Sequence, residues 1–394
     1  MVSLDRKIEN KIKNNQDFRI SLAQKSLDWF ATIYFSHYIL FPTADFQEEI
    51  YEVLSGDKRF VEILAFRESA KSTIAMLFYP IWCIVTGRKK FILLLSDTGA
   101  QIKLHIESLI FELENNKLLN KDFGGFQGRE EWTKTDLTIP NYGAKIIARS
   151  TGQKIRGLRF RQYRPDLIVA DDIENIENVR TLEGRKKTLQ WFAGEVIPAL
   201  SKGGKIILTG NLLHRDCLMM RVKEQLKKEI RSGILLEFPL LKNGMITWQG
   251  KYLDMNAIEE KKKEVNNIII WQREYLLKIV AEEGQTIKDD WIQYYDKIPA
   301  EIIFGATGID LAISKKDIAD YTAMVSGKVA KVDDKLHIFI MPHPVNEKLS
   351  GLETTQKAKE VSLKLGDNNL TKLWVEDVAY QQMQIEVMGV QNFQ

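Results

Sequence analysis

The chain has 394 residues, of which 44% are hydrophobic and 28% charged, a composition typical of a globular protein with two or three domains. Its formal net charge of only +3 excludes a uniformly basic surface, so any contact with nucleic acid must come from local patches. Two cysteines are too few for a disulfide framework or a zinc cluster, and neither a secretory signal pattern nor a membrane-spanning apolar run is found; we expect a soluble protein of a reducing cytosol, without a membrane partner.

Residues 1–58 are predicted to be mainly helical, with a dense apolar and aromatic cluster that ends at Pro42. A further helix is expected from Asp45, because acids occupy its first turn. Gln47 lies in that turn. It is interpreted either as a glutamine that reads the edge of an adenine base or as a solvated helix residue.

An apolar run over residues 61–66 is followed by a small-residue turn, by Lys71-Ser72-Thr73 and by an apolar helical pattern. This order predicts a strand, a phosphate loop and a helix whose N-terminal N–H groups face phosphate oxygens. Lys71 is expected to bind the β- and γ-phosphates, and the Ser72 hydroxyl a magnesium ion. The match to Gly-x-x-x-x-Gly-Lys-Ser/Thr is incomplete, because Ala65 and Ala70 replace the glycines, and an ordinary strand-to-helix turn is the alternative. The predicted nucleotide-binding residues are Arg67, Glu68, Ser69, Ala70, Lys71, Ser72, Thr73 and, upstream, Gln47.

The next elements alternate between strand and helix. Pro80 and Gly87 predict the end of the first helix, and the apolar run 91–96 predicts a strand buried on both faces. Residues 98–116 are expected to form a long amphipathic helix, residues 121–143 a loop or hairpin, and residues 145–148 a short strand.

A basic cluster follows, with Phe160 and Tyr163 interleaved and no acid between its members. It is either a solvated charged loop or a surface that contacts phosphates, of a nucleotide or of a DNA backbone. Its five cations are Lys154, Arg156, Arg159, Arg161 and Arg164.

Four apolar residues, 167–170, then run directly into Asp171 and Asp172. Adjacent carboxylates at the end of a buried strand are costly unless they hold a cation or activate water. We expect Asp171 to hold magnesium through a water, in a Walker B arrangement with the upstream loop. Asp172 is expected to orient the attacking water, and Glu174 is the second candidate for that role. An exposed strand-end turn is the alternative.

Residues 205–211 predict another buried strand, whose polar tip, Thr209-Gly210-Asn211, is expected beside the γ-phosphate, where it can sense hydrolysis. Residues 225–300 are rich in Lys and Glu and are interpreted as a helical bridge anchored by Trp248, Trp271 and Tyr275.

The last segment carries acids on predicted strands. Asp310 ends the run 302–310, Asp317 and Asp320 follow in a turn, and Glu376 lies on a later strand. Carboxylates that are distant in sequence but converge in space are what two-metal phosphodiester hydrolysis requires. Acids at strand ends are also common without any function.

Four segments, in this order, resemble the large terminase subunit of tailed bacteriophages, the ATP-driven motor that packages viral DNA. The resemblance covers nearly the whole chain and departs from the family at Ala70, where glycine is usual, and at Asp172, where glutamate is usual. The segments are Arg67-x-x-Ala70-Lys71-Ser72-Thr73, Gln153-Lys154-Ile155-Arg156-Gly157, Arg164-Pro165-Asp166-Leu167 through Asp172, and Thr209-Gly210-Asn211.

The resemblance implies roles for individual residues. Arg67 becomes a candidate arginine finger, although an arginine of the 154–164 cluster is an alternative, and Thr209-Gly210-Asn211 becomes the coupling motif. Asp310 and Glu376 fall on the first two catalytic positions of an RNase H-like nuclease domain, with Asp320 as an auxiliary metal ligand. ATP and Mg²⁺ are the implied cofactors, with Mn²⁺ as an alternative ion at the nuclease site.

The resemblance also implies partners and a location. The partners are double-stranded DNA, the portal protein, a small terminase subunit and further copies of the chain in a pentameric ring on the procapsid. The protein is expected in the host bacterial cytoplasm and transiently at the portal, and not as a permanent part of the virion.

The predicted fold is therefore α/β: a P-loop NTPase sheet of ASCE type, mostly parallel and flanked by helices, then an RNase H-like mixed sheet. The domains are expected at 1–58 (helical segment), 59–242 (ATPase), 243–300 (helical linker) and 301–394 (nuclease). The last domain has only about 95 residues and two clear carboxylate positions, so we expect an incomplete nuclease with weak or absent cutting. A helicase-type ATPase without nuclease activity and a non-catalytic prophage remnant are the alternative functions.

Overall fold

The computed structural model describes residues 6–126, 132–279, 293–311, 321–367, 369 and 371–375. The chain divides into two compact units, Met1–Gln285 and Thr286–Gln394. Within the described residues, no helix combines the length and the apolar character needed to cross a membrane.

A seven-stranded sheet forms the centre of the first unit. Its spatial order is β3-β4-β2-β5-β6-β1-β7, and every neighbouring pair is parallel except β3 and β4. The four strands β1, β2, β5 and β6 are buried along their whole length, as expected for a parallel sheet covered on both faces. The strands are β1 Phe60–Ala65, β2 Phe91–Ser96, β3 Asp136–Ile139, β4 Ala144–Ser150, β5 Leu167–Asp171, β6 Lys205–Gly210 and β7 Ile234–Phe238.

Helices pack on both faces of this sheet. Alternate residues of β1 enter two separate cores, Val61 and Ile63 on one face and Phe60 and Leu64 on the other. The helices are α1 Arg6–Asn14, α2 Gln16–Lys25, α3 Leu27–Tyr34, α4 Asp45–Ser55, α5 Lys71–Thr73, α6 Tyr79–Val85, α7 Gly99–Asn115, α8 Lys117–Phe123, α9 Ile176–Arg180, α10 Leu182–Trp191, α11 Ile197–Ala199, α12 Leu218–Lys227, α13 Met255–Val265 and α14 Ile268–Ile270.

The N-terminal helices are tied into the first unit by buried polar contacts. Arg19 on α2 makes two hydrogen bonds to Asp122 on α8, at 2.7 and 2.8 Å, and Tyr34 donates to the same carboxylate at 2.8 Å. The Lys205 ammonium donates to the carbonyls of Leu54 and Gly56, where α4 ends, at 2.6 and 2.9 Å. These contacts satisfy polar groups that would otherwise be buried without partners.

The predicted alternation of strands and helices is confirmed between residues 60 and 150, including the hairpin, which is β3 paired antiparallel with β4. The predicted helix end at Pro80 is wrong. The helix that starts at Lys71 continues through a π-helical segment, Ile74–Phe78, and then through α6, which contains Pro80. Proline lacks only its own N–H, and the wider π turn just before it accommodates the interruption in the hydrogen-bond ladder.

The interpretation of residues 225–300 as entirely helical is also wrong. Residues 234–238 form β7, the edge strand paired with β1, and a two-stranded hairpin follows, β8 Leu241–Lys242 and β9 Met245–Ile246. Trp248, Trp271 and Tyr275 are buried in the core of the first unit, so they are not part of a free-standing bridge. A five-residue apolar run such as 234–238 has too short a pattern to separate strand from helix.

The second unit contains a five-stranded mixed sheet, and the predicted mixed sheet is confirmed. Its main order is β12-β11-β10-β14, with β10 antiparallel to β11 and parallel to β14, while β13 pairs with β11. Helix α15 covers one face through Ala358, against Ile309 and Met324. The elements are β10 Ile302–Asp310, β11 Thr322–Val332, β12 Lys335–Ile340, β13 Val345–Glu347, α15 Gly351–Leu365 and β14 Lys372–Val375.

Candidate active site

The candidate active site lies at the carboxyl ends of β1, β5 and β6. Strand β6 lies between the other two, so Asp171 at the end of β5 is opposite Thr209, and Leu64 of β1 is opposite Gly210. Ligands of open α/β sheets bind in such a crevice. Here it holds a cavity of about 610 Å³ whose lining includes Arg67, Lys71, Ser72, Asp172, Asn211 and Glu274.

The loop between β1 and α5 has an unusual backbone. Glu68 and Ala70 both have positive φ angles, 67° and 68°, and the helix begins at the next residue, Lys71. Positive φ is cheap for glycine and strained for alanine, because the Cβ atom approaches the following carbonyl oxygen. The structure therefore places Ala70 in the backbone conformation for which a phosphate loop ordinarily uses glycine.

Lys71 is buried, with only 6% of its surface exposed, and its ammonium group points along the crevice. It donates hydrogen bonds to the carbonyl of Ala65 at 3.1 Å and to Oδ1 of Asn211 at 3.3 Å. A buried ammonium with two neutral acceptors and no carboxylate hydrogen bond is well placed to bind an anion.

Ser72, Asp171 and Thr209 form a cluster of oxygen atoms beside Lys71. The Ser72 hydroxyl donates to Oδ1 of Asp171 at 3.0 Å, and the Thr209 hydroxyl donates to the same oxygen. Hydroxyl and carboxylate oxygens are the ligands that Mg²⁺ prefers, and a nucleotide-bound Mg²⁺ takes its remaining ligands from water and phosphate. The donor set therefore fits magnesium, although the described residues contain no group of three or more His, Cys, Asp or Glu placed to bind a metal.

Asp172 faces the cavity at the point where β5 ends. Its φ angle is 45°, and its N–H donates to the carbonyl of Thr209 at 3.0 Å, which turns the chain out of the sheet. Removal from bulk water in the crevice, followed by the charge of Asp171, raises the pKa of Asp172, while Lys71 acts in the opposite direction. The side chain stays accessible from the cavity, as a residue that orients water requires.

Glu174 lies in the cavity wall but has other partners. Its two carboxylate oxygens accept hydrogen bonds from the backbone N–H groups of Leu218 at 2.8 Å and Met219 at 3.1 Å, at the start of α12. Burial raises its pKa, and these hydrogen bonds partly oppose that shift. Glu174 therefore caps a helix in this structure, and its oxygens are less free to hold water than those of Asp172.

Gln47 is buried directly beneath the phosphate loop. Its amide NH₂ group donates to the carbonyl of Ser69 at 3.1 Å, and its amide oxygen accepts from the N–H of Ala44 at 3.1 Å. The side chain therefore links the start of α4 to the phosphate loop, and both of its polar atoms have partners.

Arg67 and Glu68 line the opening of the cavity. The Arg67 side chain is exposed, which leaves it free to approach a ligand. Glu68 is held by Lys251 and Lys261, both at 2.9 Å. Burial acts to raise the pKa of Glu68, but the hydrogen bonds from these two lysines outweigh it and lower the pKa.

The sequence analysis did not identify two residues of the site. His105 on α7 places Nε2 3.7 Å from Oδ2 of Asp171, the oxygen that Ser72 and Thr209 do not use. Glu274, which the sequence analysis assigned to the helical bridge, accepts a hydrogen bond from Asn211. A lone histidine and one glutamate in a Lys/Glu-rich segment carry no local signal, so only tertiary contacts could identify them.

The basic cluster is on the surface of the first unit. All five cations are exposed, and the loop that carries them is held to the protein by Ile155, which is fully buried, and by Arg156, which donates to the carbonyl of Gly194 at 3.1 Å. Arg161 lies over the ring of Phe160, 5.2 Å from its centroid. Exposed cations on an anchored loop match the requirements of a phosphate-contacting surface.

In the second unit, Asp310 is the last residue of β10 and is exposed, opposite Ala323 of β11. Asp320 and Glu376, the other two predicted nuclease ligands, lie outside the described residues.

The fold and the crevice together define the class: an α/β protein with the strand–phosphate loop–helix topology of P-loop NTPases, in which one additional strand separates the strand of Lys71 from that of Asp171. No protein-family model matches the sequence, and no curated protein does either.

Among solved structures, the chain is similar to phage large terminases. For bacteriophage HK97 the identity is 14%, with 88% of this chain and 73% of that chain covered and a TM-score of 0.44. For the large terminase of a thermophilic bacteriophage, in a complex with ADP, the values are 12%, 90%, 82% and 0.41. For the ATPase domain from Thermus phage P74-26 they are 12%, 61%, 94% and 0.41. At these identities the likeness concerns the fold.

Proposed function

We propose that this chain is a large terminase subunit, which hydrolyses ATP to translocate double-stranded DNA into a procapsid. The observation that carries the ATPase part is the convergence of Lys71, Ser72, Asp171 and Asp172 on one crevice from two non-adjacent strands. The terminase part rests on the order of the four sequence segments that resemble that family.

The residues have distinct roles in this proposal. Lys71 exchanges its two neutral acceptors for the β- and γ-phosphates, and the N–H groups of the loop bind the same oxygens. Ser72 and Asp171 hold Mg²⁺, which supplies charge neutralisation of the triphosphate when bound. Asp172 orients the attacking water, and Arg67 is the candidate that stabilises charge on the transferred phosphoryl group.

The DNA-facing part of the proposal assigns Lys154, Arg156, Arg159 and Arg161 to phosphate contacts. The exposure of all four side chains supports this role. Such contacts are independent of base sequence, which suits a protein that must move along DNA of any sequence. The nuclease part assigns Asp310, Asp320 and Glu376 to a two-metal site that cuts DNA in the second unit.

The proposed site is tested with Lys71→Ala in an ATPase assay with and without double-stranded DNA. Loss of the ammonium is expected to lower kcat by about a hundredfold or more, because the charge on the transferred phosphoryl group loses its counter-charge. Thermal unfolding of the variant should match that of the wild type within a few degrees. Turnover close to that of the wild type in Lys71→Ala would contradict the assignment, and DNA-stimulated turnover by a chain that also unwinds duplexes would favour the helicase-type alternative.

A further inference from the structure

Glu274 reaches the candidate active site from the far end of the first unit's sequence. It lies on the π-helical segment Trp271–Tyr275 and is only 8% exposed, and its side chain lines the same cavity as Lys71. One carboxylate oxygen accepts a hydrogen bond from Nδ2 of Asn211, and the other accepts from Nε of Arg273 at 3.0 Å. A buried carboxylate with two donors is held in one orientation.

The main chain fixes the position of this segment. The carbonyl of Glu274 accepts a hydrogen bond from the N–H of Arg67 at 2.8 Å, and the carbonyl of Tyr275 accepts from the N–H of Leu240 at 2.8 Å. Trp271 and Tyr275 stack in the core, with ring centroids 4.7 Å apart. The segment is therefore anchored to the phosphate loop itself, and the Glu274 carboxylate cannot move independently of that loop.

The amide of Asn211 has an acceptor side and a donor side, and its two neighbours require opposite sides. Its Oδ1 accepts from the Lys71 ammonium at 3.3 Å, while its Nδ2 donates to Glu274. Rotating the amide by half a turn would set NH₂ against an ammonium and oxygen against a carboxylate, so both contacts would become repulsive. Glu274 therefore decides which face Asn211 presents to Lys71.

We propose that Glu274 is a positioning residue for Lys71, acting through Asn211. The carboxylate holds the amide so that the oxygen faces the lysine, and the amide oxygen holds the ammonium at the entrance to the phosphate-binding loop. When a triphosphate takes the ammonium, Asn211 loses an acceptor contact, and the change is transmitted to the segment Trp271–Tyr275. This inference rests on the proposed ATPase function and names a part of the site that the sequence motifs do not contain.

The test is a double-mutant cycle on ATP turnover, with the full chain. We expect Glu274→Ala and Asn211→Ala each to lower kcat/KM by about tenfold to a hundredfold, the range for a hydrogen bond to a charged group. In the Asn211→Ala background, adding Glu274→Ala is expected to change kcat/KM by less than about twofold, because the intermediary is already absent. A role that is only structural would instead give additive losses.

Three further variants keep the test decisive. Glu274→Gln retains an acceptor oxygen and is expected to stay within about threefold of the wild type. Glu274→Asp retains the charge but withdraws the oxygens by one methylene, and it is expected to lose as much activity as Glu274→Ala, even if the alanine variant folds poorly. Glu260→Ala, at an exposed glutamate on α13, is the matched control and is expected to be neutral.

The outcomes separate the inference from the function on which it rests. Wild-type ATP turnover that Lys71→Ala abolishes, combined with additive losses in the cycle or with an inactive Glu274→Gln, would overturn the inference alone. Absence of wild-type turnover, or turnover that Lys71→Ala leaves unchanged, would overturn the proposed function and the inference together.

Discussion

Ala70 is the residue at which this phosphate loop carries backbone strain, with a φ angle of 68°. We expect Ala70→Gly to increase the free energy of unfolding by about 1 kcal/mol, because glycine adopts this conformation without a Cβ clash and loses only part of that gain to entropy. Chemical denaturation of the two proteins measures the difference.

The matched control for Ala70→Gly is Ala100→Gly, since Ala100 is an exposed alanine in the first turn of α7. That change is expected to lower stability by a few tenths of a kcal/mol to about 1 kcal/mol, the usual effect of glycine in a helix. Destabilisation by both substitutions would mean that Ala70 is not strained.

Asp172 and Glu174 are separated by their hydrogen-bond partners. Asp172→Asn is expected to lower the single-turnover rate of ATP hydrolysis by about a hundredfold while ATP binding persists, because an amide orients the attacking water less well than a carboxylate. Glu174→Gln removes an acceptor from the N–H groups of Leu218 and Met219, so its expected effect is on thermal stability. If only Glu174→Gln abolished hydrolysis, the order of the two candidates would be reversed.

Glu62 is a fully buried acid in the middle of β1, and neither of its carboxylate oxygens has a hydrogen-bond partner. Burial raises its pKa to about 9; Lys223 and Arg231 oppose the shift, and Glu237 and Glu174 add to it. The folded state therefore keeps a proton that the unfolded chain loses near its ordinary pKa of 4.5.

Because the unfolded state binds fewer protons in this range, stability must fall as pH rises from about 5 to about 9, by up to about 1.4 kcal/mol per pH unit from this group. Glu62→Gln, which is neutral throughout, is expected to match the wild type near pH 5 and to exceed its stability increasingly toward pH 9. Denaturation curves at several pH values measure the gap, and a gap that does not change with pH would show that Glu62 is not protonated in the folded protein.

At the scale of elements, the loop between β4 and β5 carries the exposed cations that we assign to DNA phosphates. Each neutralised phosphate contributes about 0.9 to the slope of log K against log salt, so changing Arg159 and Arg161 together to Ala is expected to reduce that slope by about 1.8. DNA binding between low and moderate salt measures it. The control pair, Lys262 and Lys263 changed to Ala on α13, removes the same charge elsewhere and is expected to leave the slope within about 0.3 of the wild type.

The element that sequence analysis missed in the first unit is β7. Its position at the sheet edge, parallel to β1, depends on pairing with a strand about 170 residues earlier, which no local pattern encodes. The same distance dependence explains Pro80, since the helix that contains it is stabilised by burial of residues 79–85 against the core rather than by local propensity.

At the scale of the whole molecule, the two units are expected to fail separately. Asp310→Ala, in the second unit, should leave ATP turnover within about twofold of the wild type, because its position is not part of the crevice at the ends of β1, β5 and β6. Lys71→Ala should leave any manganese-dependent cutting of plasmid DNA unchanged, while Asp310→Ala removes it. Cutting that persists in Asp310→Ala would show that this aspartate is not a ligand of the nuclease metals.

The sequence by itself determined the fold class and the main residues proposed for the site. A buried apolar strand followed by a turn and Lys71-Ser72, and a second buried strand that ends in Asp171 and Asp172, are local patterns, because burial on both faces imposes a continuous apolar run. The parallel sheet and the mixed sheet were therefore predictable from the residues alone.

Only the tertiary structure decided which side chains have partners and which face the cavity. Glu174 and Asp172 are both acids after β5, but the start of α12 engages Glu174 and leaves Asp172 accessible. Glu274 and His105 reach the site from segments whose sequences resemble any solvated helix. The physical reason is that hydrogen bonds and burial depend on positions in space, and the chain brings residues as far apart as Lys71 and Glu274 together only when the sheet and its helices have packed.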